Sequence, residues 1–87
     1  MYVILVYDVK IERINKVRNL ARQYLNWIQN SVFEGELTKG QLRILKHEIK
    51  KIINEEEDSV IIYALTCEKE PERIIIGKEK GTLDDYL

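Results

Sequence analysis

The chain is short of the residues that most often announce a chemistry. It holds one cysteine, Cys67, one histidine, His47, one proline, Pro71, and four glycines. A lone cysteine excludes an internal disulfide, and with no second Cys nearby it makes no zinc or redox motif. His47 stands without a Cys, a second His or an Asp at ligand spacing, so it reads as a solvent-facing residue and not as a metal ligand. There is no Ser-His-Asp or Cys-His arrangement and no Gly-rich phosphate loop, which leaves nucleophilic hydrolases and P-loop enzymes without their parts. No apolar run approaches the roughly 20 residues of a membrane span. The opening apolar segment has no basic stretch before it and no small-residue cleavage site after it, so a signal peptide is not expected either. The cytoplasm is the default location, with no membrane partner.

What the chain does have is charge and apolar strand. At 87 residues, 45% hydrophobic and 33% charged, it is expected to be one globular domain with a densely charged exterior. A domain of this size buries only about 60% or a little more of its unfolded surface, so pairing of two copies would help it. The net charge of −1 hides a lopsided layout: residues 1–51 carry ten Lys/Arg against five Asp/Glu, whereas residues 52–87 carry four against ten. The basic half is also the half with the expected helices. It can bind phosphate or merely solvate exposed helix faces.

Tyr2-Val3-Ile4-Leu5-Val6-Tyr7-Asp8 reads as a buried central strand ending at a carboxylate, because its apolar run is continuous and a helical pattern follows at once. A first helix is expected from Ile11 to Leu25, with Ile14, Val17, Leu20, Ala21, Tyr24 and Leu25 on one buried stripe. Its other face carries Arg13, Lys16, Arg18 and Arg22, with Lys10 just ahead of it. Such a face can grip a nucleic-acid backbone. From Trp27 to Leu37 the pattern is extended but changes parity near Asn30-Ser31, which implies two short strands joined by a tight turn, or one bulged strand. Gly35 is a candidate for a second distortion.

Thr38 and Gln41 have the spacing of a capping box. They open a second helix with Leu42, Leu45, Ile49, Ile52 and Ile53 inward and Lys39, Arg43, Lys46, Lys50 and Lys51 outward. The acidic run Asn54–Asp58 reads as a loop, since negative charge is disfavoured at a helix C-terminus. Ser59–Leu65 is a second apolar strand. Ile74–Ile76 reads as a short further strand that needs a sheet edge, its own or that of a second copy. The expected plan is α+β: a ferredoxin-like βαββαβ sandwich with both helices on one face and an additional short C-terminal strand, in residues 1–77. The uncovered sheet face suggests a homodimer. Residues 78–87 form an acidic C-terminal tail.

Strand ends in open α/β sheets are where ligands tend to sit, so Asp8 is the first functional candidate. An acid between a strand and a helix can equally be a plain turn or N-cap residue. The strand Val3–Val9, the basic first helix, Ile28-Gln29-Asn30-Ser31-Val32-Phe33-Glu34-Gly35-Glu36-Leu37, Asp58–Tyr63 and Arg73-Ile74-Ile75-Ile76-Gly77 together resemble the CRISPR-associated protein two family, small proteins of CRISPR spacer acquisition. The resemblance runs over nearly the whole chain in order. It implies a ferredoxin-like homodimer in which the aspartate ending the first strand, here Asp8, faces its two-fold mate and holds a divalent metal such as Mg²⁺. Tyr7, Lys16 and Phe33 occupy positions similar to ones the family uses at or near its nuclease site; Tyr7 and Phe33 read on their own as core aromatics. Trp27 stands where some relatives have an arginine.

Two functions follow from the resemblance. In one, the chain is a metal-dependent endonuclease cutting single-stranded RNA or duplex DNA, with Asp8, Tyr7 and Phe33 at the catalytic site and Lys10, Arg13, Lys16, Arg18, Arg22, Lys39 and Arg43 binding the nucleic acid. In the other, it is a non-catalytic DNA-binding dimer that bridges copies of the CRISPR integrase, CRISPR-associated protein one. A ribonuclease toxin of the VapD-like type is a third, more remote reading.

Overall fold

The computed structural model describes residues 1–81. The tail expected over 78–87 falls largely outside these residues. The elements run β1 (Tyr2–Asp8), α1 (Ile11–Arg22), β2 (Asn26–Gln29), β3 (Val32–Glu36), α2 (Lys39–Ile52), β4 (Ser59–Leu65) and β5 (Glu72–Gly77). They form one antiparallel sheet in the order β2-β3-β1-β4-β5. The first four strands have the ferredoxin-like order, and β5 extends the sheet beyond β4.

Strand alternation divides β1 between two environments. Val3, Leu5 and Tyr7 pack with Val17, Leu20 and Ala21 of α1 and Leu42, Leu45 and Ile49 of α2 in the main core. Ile4 and Val6 point to the opposite face, where Val6, Val32 and Ile61 form a smaller cluster flanked by Ile4 and Tyr63. Both faces of β1 are therefore apolar, which explains why its sequence is continuous instead of alternating. Each fully buried aliphatic or phenyl side chain contributes ~1.5–3 kcal/mol, and β1 alone supplies three residues with no exposed surface.

The parity change near Asn30 is a turn between two strands, with Asn30 itself in the left-handed region (φ 45) that asparagine tolerates. The register also shifts between Trp27 and Gln29 in β2. Gly35 is not a distortion. It pairs regularly with Val3, and its missing side chain admits Leu25, whose Cδ2 would lie 3.3 Å from an added Cβ. The first helix ends at Arg22, three residues short of the expected Leu25, because the Tyr24 and Leu25 amides both close on the Ala21 carbonyl as the chain turns into β2. The capping box opening α2 is formed: Thr38 Oγ1 accepts from the Gln41 amide at 3.1 Å and Gln41 Oε1 from the Thr38 amide at 2.9 Å. The last strand pairs with its own β4, Ile75 opposite Ile61 and Ile76 opposite Val60, so its isoleucines need no second chain to be paired.

Candidate metal and nucleic-acid site at the end of the first strand

Asp8 closes β1 on the side of the sheet away from the helices, in line with Ile4 and Val6, and its side chain is 56% exposed. A pocket of about 300 Å³ opens beside it, bounded by Tyr7, Asp8, Ile14, Arg18 and the Asn30-Ser31 turn. The turn is held there by the backbone: the Tyr7 amide donates to the Ser31 carbonyl at 3.2 Å. Asp8 and Arg18 thus both line one shallow cleft. After Gly77 the chain doubles back. Arg73 bonds the Glu79 carboxylate at 3.0 Å and the Gly81 carbonyl at 2.8 Å, and the Lys80 ammonium lies 3.8 Å from Asp8 Oδ2 and 3.4 Å from the Asp8 carbonyl.

The loop leaving Asp8 is fixed by a second acid, which the sequence presented only as part of a charged run. Asp58 has no exposed surface. Its Oδ1 accepts from the Lys10 amide at 2.9 Å, its Oδ2 from the Asn54 amide at 2.9 Å, and both oxygens bond the Arg13 guanidinium. Burial alone would push this carboxyl up; the Arg13 guanidinium and the Asn54 and Lys10 amides outweigh it and hold the group down at about 2. Its carbonyl accepts from Lys78 at 2.8 Å, beside Gly77, which has φ +87. One residue therefore ties together the start of α1, the end of α2 and the exit of β5.

This corrects the expected basic face. Arg13 does not stand outward with the other cations: its side chain is 17% exposed and bonded to Asp58, Glu57 and Glu12. It is committed to the fold. Lys10, Lys16 and Arg22 are exposed and Arg18 half-buried at the cleft. Lys39 and Arg43, on α2, are exposed and border a separate hollow with Lys46, away from the Asp8 cleft. The two aromatics expected at the catalytic site are core residues. Phe33 has no exposed surface and Tyr7 only 4%, and their rings pack on each other at 6.2 Å. Tyr7 lines the cleft and Phe33 packs against it in the helix-side core. His47 is exposed, as expected.

No three His, Cys, Asp or Glu side chains among the described residues converge on a metal site. Asp8 alone offers one carboxylate per chain, but it has a neighbour. Ser59 lies directly across from it in the β1–β4 ladder, is fully buried, and its Oγ has no hydrogen-bond partner among the described residues. The exposed Asp8 carboxylate, with the Lys80 ammonium 3.8 Å away as its present counter-charge, offers an oxygen donor of the kind Mg²⁺ takes while keeping most of its waters.

A ferredoxin-like sheet with an extra edge strand and an exposed aspartate at the tip of its central strand defines a class of small α+β proteins with a site on the strand end. Comparison with known proteins makes the assignment specific. The family model described as "CRISPR associated protein Cas2" matches residues 1–73. A protein of Dictyoglomus turgidum named "CRISPR-associated endoribonuclease Cas2" is 59% identical over 87 residues, covering both chains completely. One of the same name from Methanocaldococcus jannaschii is 52% identical over 87 residues, all of this chain and 76% of its own. A crystal structure of Streptococcus pyogenes Cas2 superposes with a TM-score of 0.70 at 35% identity, covering 78% of this chain and 89% of that one. The chain belongs to the CRISPR-associated Cas2 family.

Proposed function

We propose that this protein is a divalent-metal-dependent endoribonuclease of CRISPR spacer acquisition, acting in the cytoplasm as a homodimer whose two Asp8 carboxylates meet across the two-fold axis. The observation that carries the reading is the placement of Asp8: the acid at the tip of the central strand is exposed, on the sheet face without helices, beside a cleft bordered by Arg18. The relatives' shared name, endoribonuclease, makes RNA the first substrate to test. A Mg²⁺ ion held by Asp8 would supply an activated water and neutralise charge on the phosphate.

The protein's own residues do the rest. Asp8 would hold the ion, and Arg18 offers donors to a phosphate in the cleft. Lys10, Lys16 and Arg22 extend the positive surface along α1 for the neighbouring phosphates. Ile4 and Tyr63, partly exposed over the buried cluster of Val6, Val32 and Ile61, give the same sheet face apolar surface against which a second copy can pack.

The scaffold reading, in which the dimer holds spacer DNA between integrase copies, draws on the same basic surface. It is favoured by one observation: a single carboxylate per chain is a sparse donor set. Cleavage of labelled single-stranded RNA and duplex DNA with Mg²⁺, by wild type and Asp8→Asn in parallel, separates the two. Loss of cleavage in a folded, dimeric variant supports the nuclease. Equal cleavage in both, or none in either, removes Asp8 from catalysis and favours the scaffold.

A further inference from the structure

Trp27 is the chain's single tryptophan, and its side chain is 54% exposed. It stands on β2, the edge strand at the opposite end of the sheet from β5. The register fixes the side it takes. Trp27 is opposite Phe33, and Phe33 is opposite Leu5; residues directly opposite in an antiparallel pair project from the same face. Leu5 and Phe33 lie in the core beneath the helices, so Trp27 continues their row to the edge of the sheet on the side where α1 carries Arg18 and Arg22. Its ring is held: the indole Nε1 donates to the Asn30 carbonyl at 3.0 Å. Asn30 in turn lines the same cleft as Arg18 and Asp8. One turn residue therefore joins the exposed indole to the cleft.

Single exposed apolar side chains are ordinary on a protein surface. An indole tethered by its own N–H is a more specific object, because little rotamer freedom remains to be lost when a second flat group stacks on it. The charges nearby decide what that group is. Arg18 is half-buried at the cleft, and Arg22 is exposed one turn further along α1. Cations that take phosphates, set beside an aromatic ring that takes a base, are the combination by which single-stranded nucleic acid is held. A duplex cannot use the ring, since its bases are already stacked and paired; it offers this surface only its backbone.

We propose that Trp27 is the platform on which an unpaired base stacks while a neighbouring phosphate lies in the Arg18 cleft, so that this residue makes the site favour single strands over duplexes. The inference rests on the reading of the Asp8–Arg18 cleft as an RNA site. With one tryptophan in the chain, fluorescence reports this ring alone. Wild type is titrated with oligouridylate, with an abasic strand of the same length and with duplex RNA, in EDTA so that nothing is cut. Filter binding gives the affinities of Trp27→Ala and Trp27→Phe for the same three ligands. Oligouridylate is expected to quench the emission, and the other two are not. Trp27→Ala should bind oligouridylate at least about fivefold more weakly, with the salt slope unchanged because no phosphate contact is lost. Its affinity for the abasic strand and the duplex should match wild type. Trp27→Phe, which keeps a ring, should stay within about threefold for oligouridylate.

Oligouridylate binding without quenching, or wild-type affinity in Trp27→Ala, overturns the proposal and leaves the RNA reading of the cleft intact. An equal loss in Trp27→Ala for all three ligands would show that the residue only supports the fold, which overturns it too. The wild-type quenching needs no variant, so it decides the matter even where Trp27→Ala fails to fold. A wild type that binds no oligouridylate at low salt defeats the RNA reading itself and the role of Trp27 with it.

Discussion

Replacing Asp58 by asparagine should be among the most damaging single polar changes in this chain, although the residue lies in an acidic run that looks like solvent-exposed loop. Folding takes the carboxyl from an ordinary 3.8 to about 2, equivalent to roughly 2 kcal/mol of stabilisation at neutral pH. The substitution does more than remove that. The asparagine amide group puts N–H donors among three existing donors, the Lys10 and Asn54 amides and Arg13. Breaking a buried pair of this kind costs about 3–5 kcal/mol. Arg13 keeps Glu57 at 3.2 Å and Glu12 at 3.5 Å, so the lower end of that range is expected.

Urea unfolding at pH 7, at fixed protein concentration, should therefore show a loss of about 3 kcal/mol for Asp58→Asn. Arg13→Gln combined with it should give a coupling energy above about 1 kcal/mol. Acid adds a second signature. The folded carboxyl titrates below the unfolded one, so its stabilisation is complete above about pH 4 and fades as the pH falls towards 2. The gap between wild type and variant should narrow over that window. A loss under about 1 kcal/mol at pH 7, or a gap that does not narrow in acid, would refute the reasoning.

Three further outcomes follow. Gly77→Ala places a Cβ on a backbone at φ +87 and drives it into the Asp58 carbonyl, so a loss of about 2 kcal/mol or more is expected in the same urea assay. Arg18→Gln should weaken single-stranded RNA binding and reduce the slope of log affinity against log salt by about 0.7, whereas Arg13→Gln should leave that slope unchanged, as filter binding across salt concentrations would show. Lys80→Met removes a cation whose side chain is 25% exposed and which lies 3.8 Å from Asp8; stability should stay within about 0.5 kcal/mol while Mn²⁺ binds a few-fold more tightly, measured by calorimetry.

What could be read from the sequence was what local pattern encodes. The two continuous apolar strands, the Thr38–Gln41 capping box and the turn at Asn30-Ser31 all rest on neighbours a few residues apart, and each is present. The Arg13–Asp58 pair spans 45 residues, and nothing near either residue announces the other. Asp58 was hidden among Glu55, Glu56 and Glu57, which are exposed while it is buried.

Tyr7 and Phe33 were legible in principle. Tyr7 shares the parity of Val3 and Leu5, and Phe33 pairs with Leu5, so alternation places both rings on the helix side of the sheet, away from the Asp8 carboxylate. The resemblance drew attention to their positions and not to the face they occupy. The extent of β5 and its attachment to β4 were open for a different reason: three isoleucines specify that an edge must be found, but not whose.

Mixing tests the shared Asp8 site most directly. Wild type and Asp8→Asn chains, unfolded together and refolded at varied ratios, form dimers with two, one or no Asp8, and Mg²⁺-dependent RNA cleavage is followed against the wild-type fraction. A site that needs both carboxylates retains about a quarter of the activity at equal mixing, because only dimers with two wild-type chains are complete. Activity falling in direct proportion, to about half, would show that each chain carries its own site and would contradict the account.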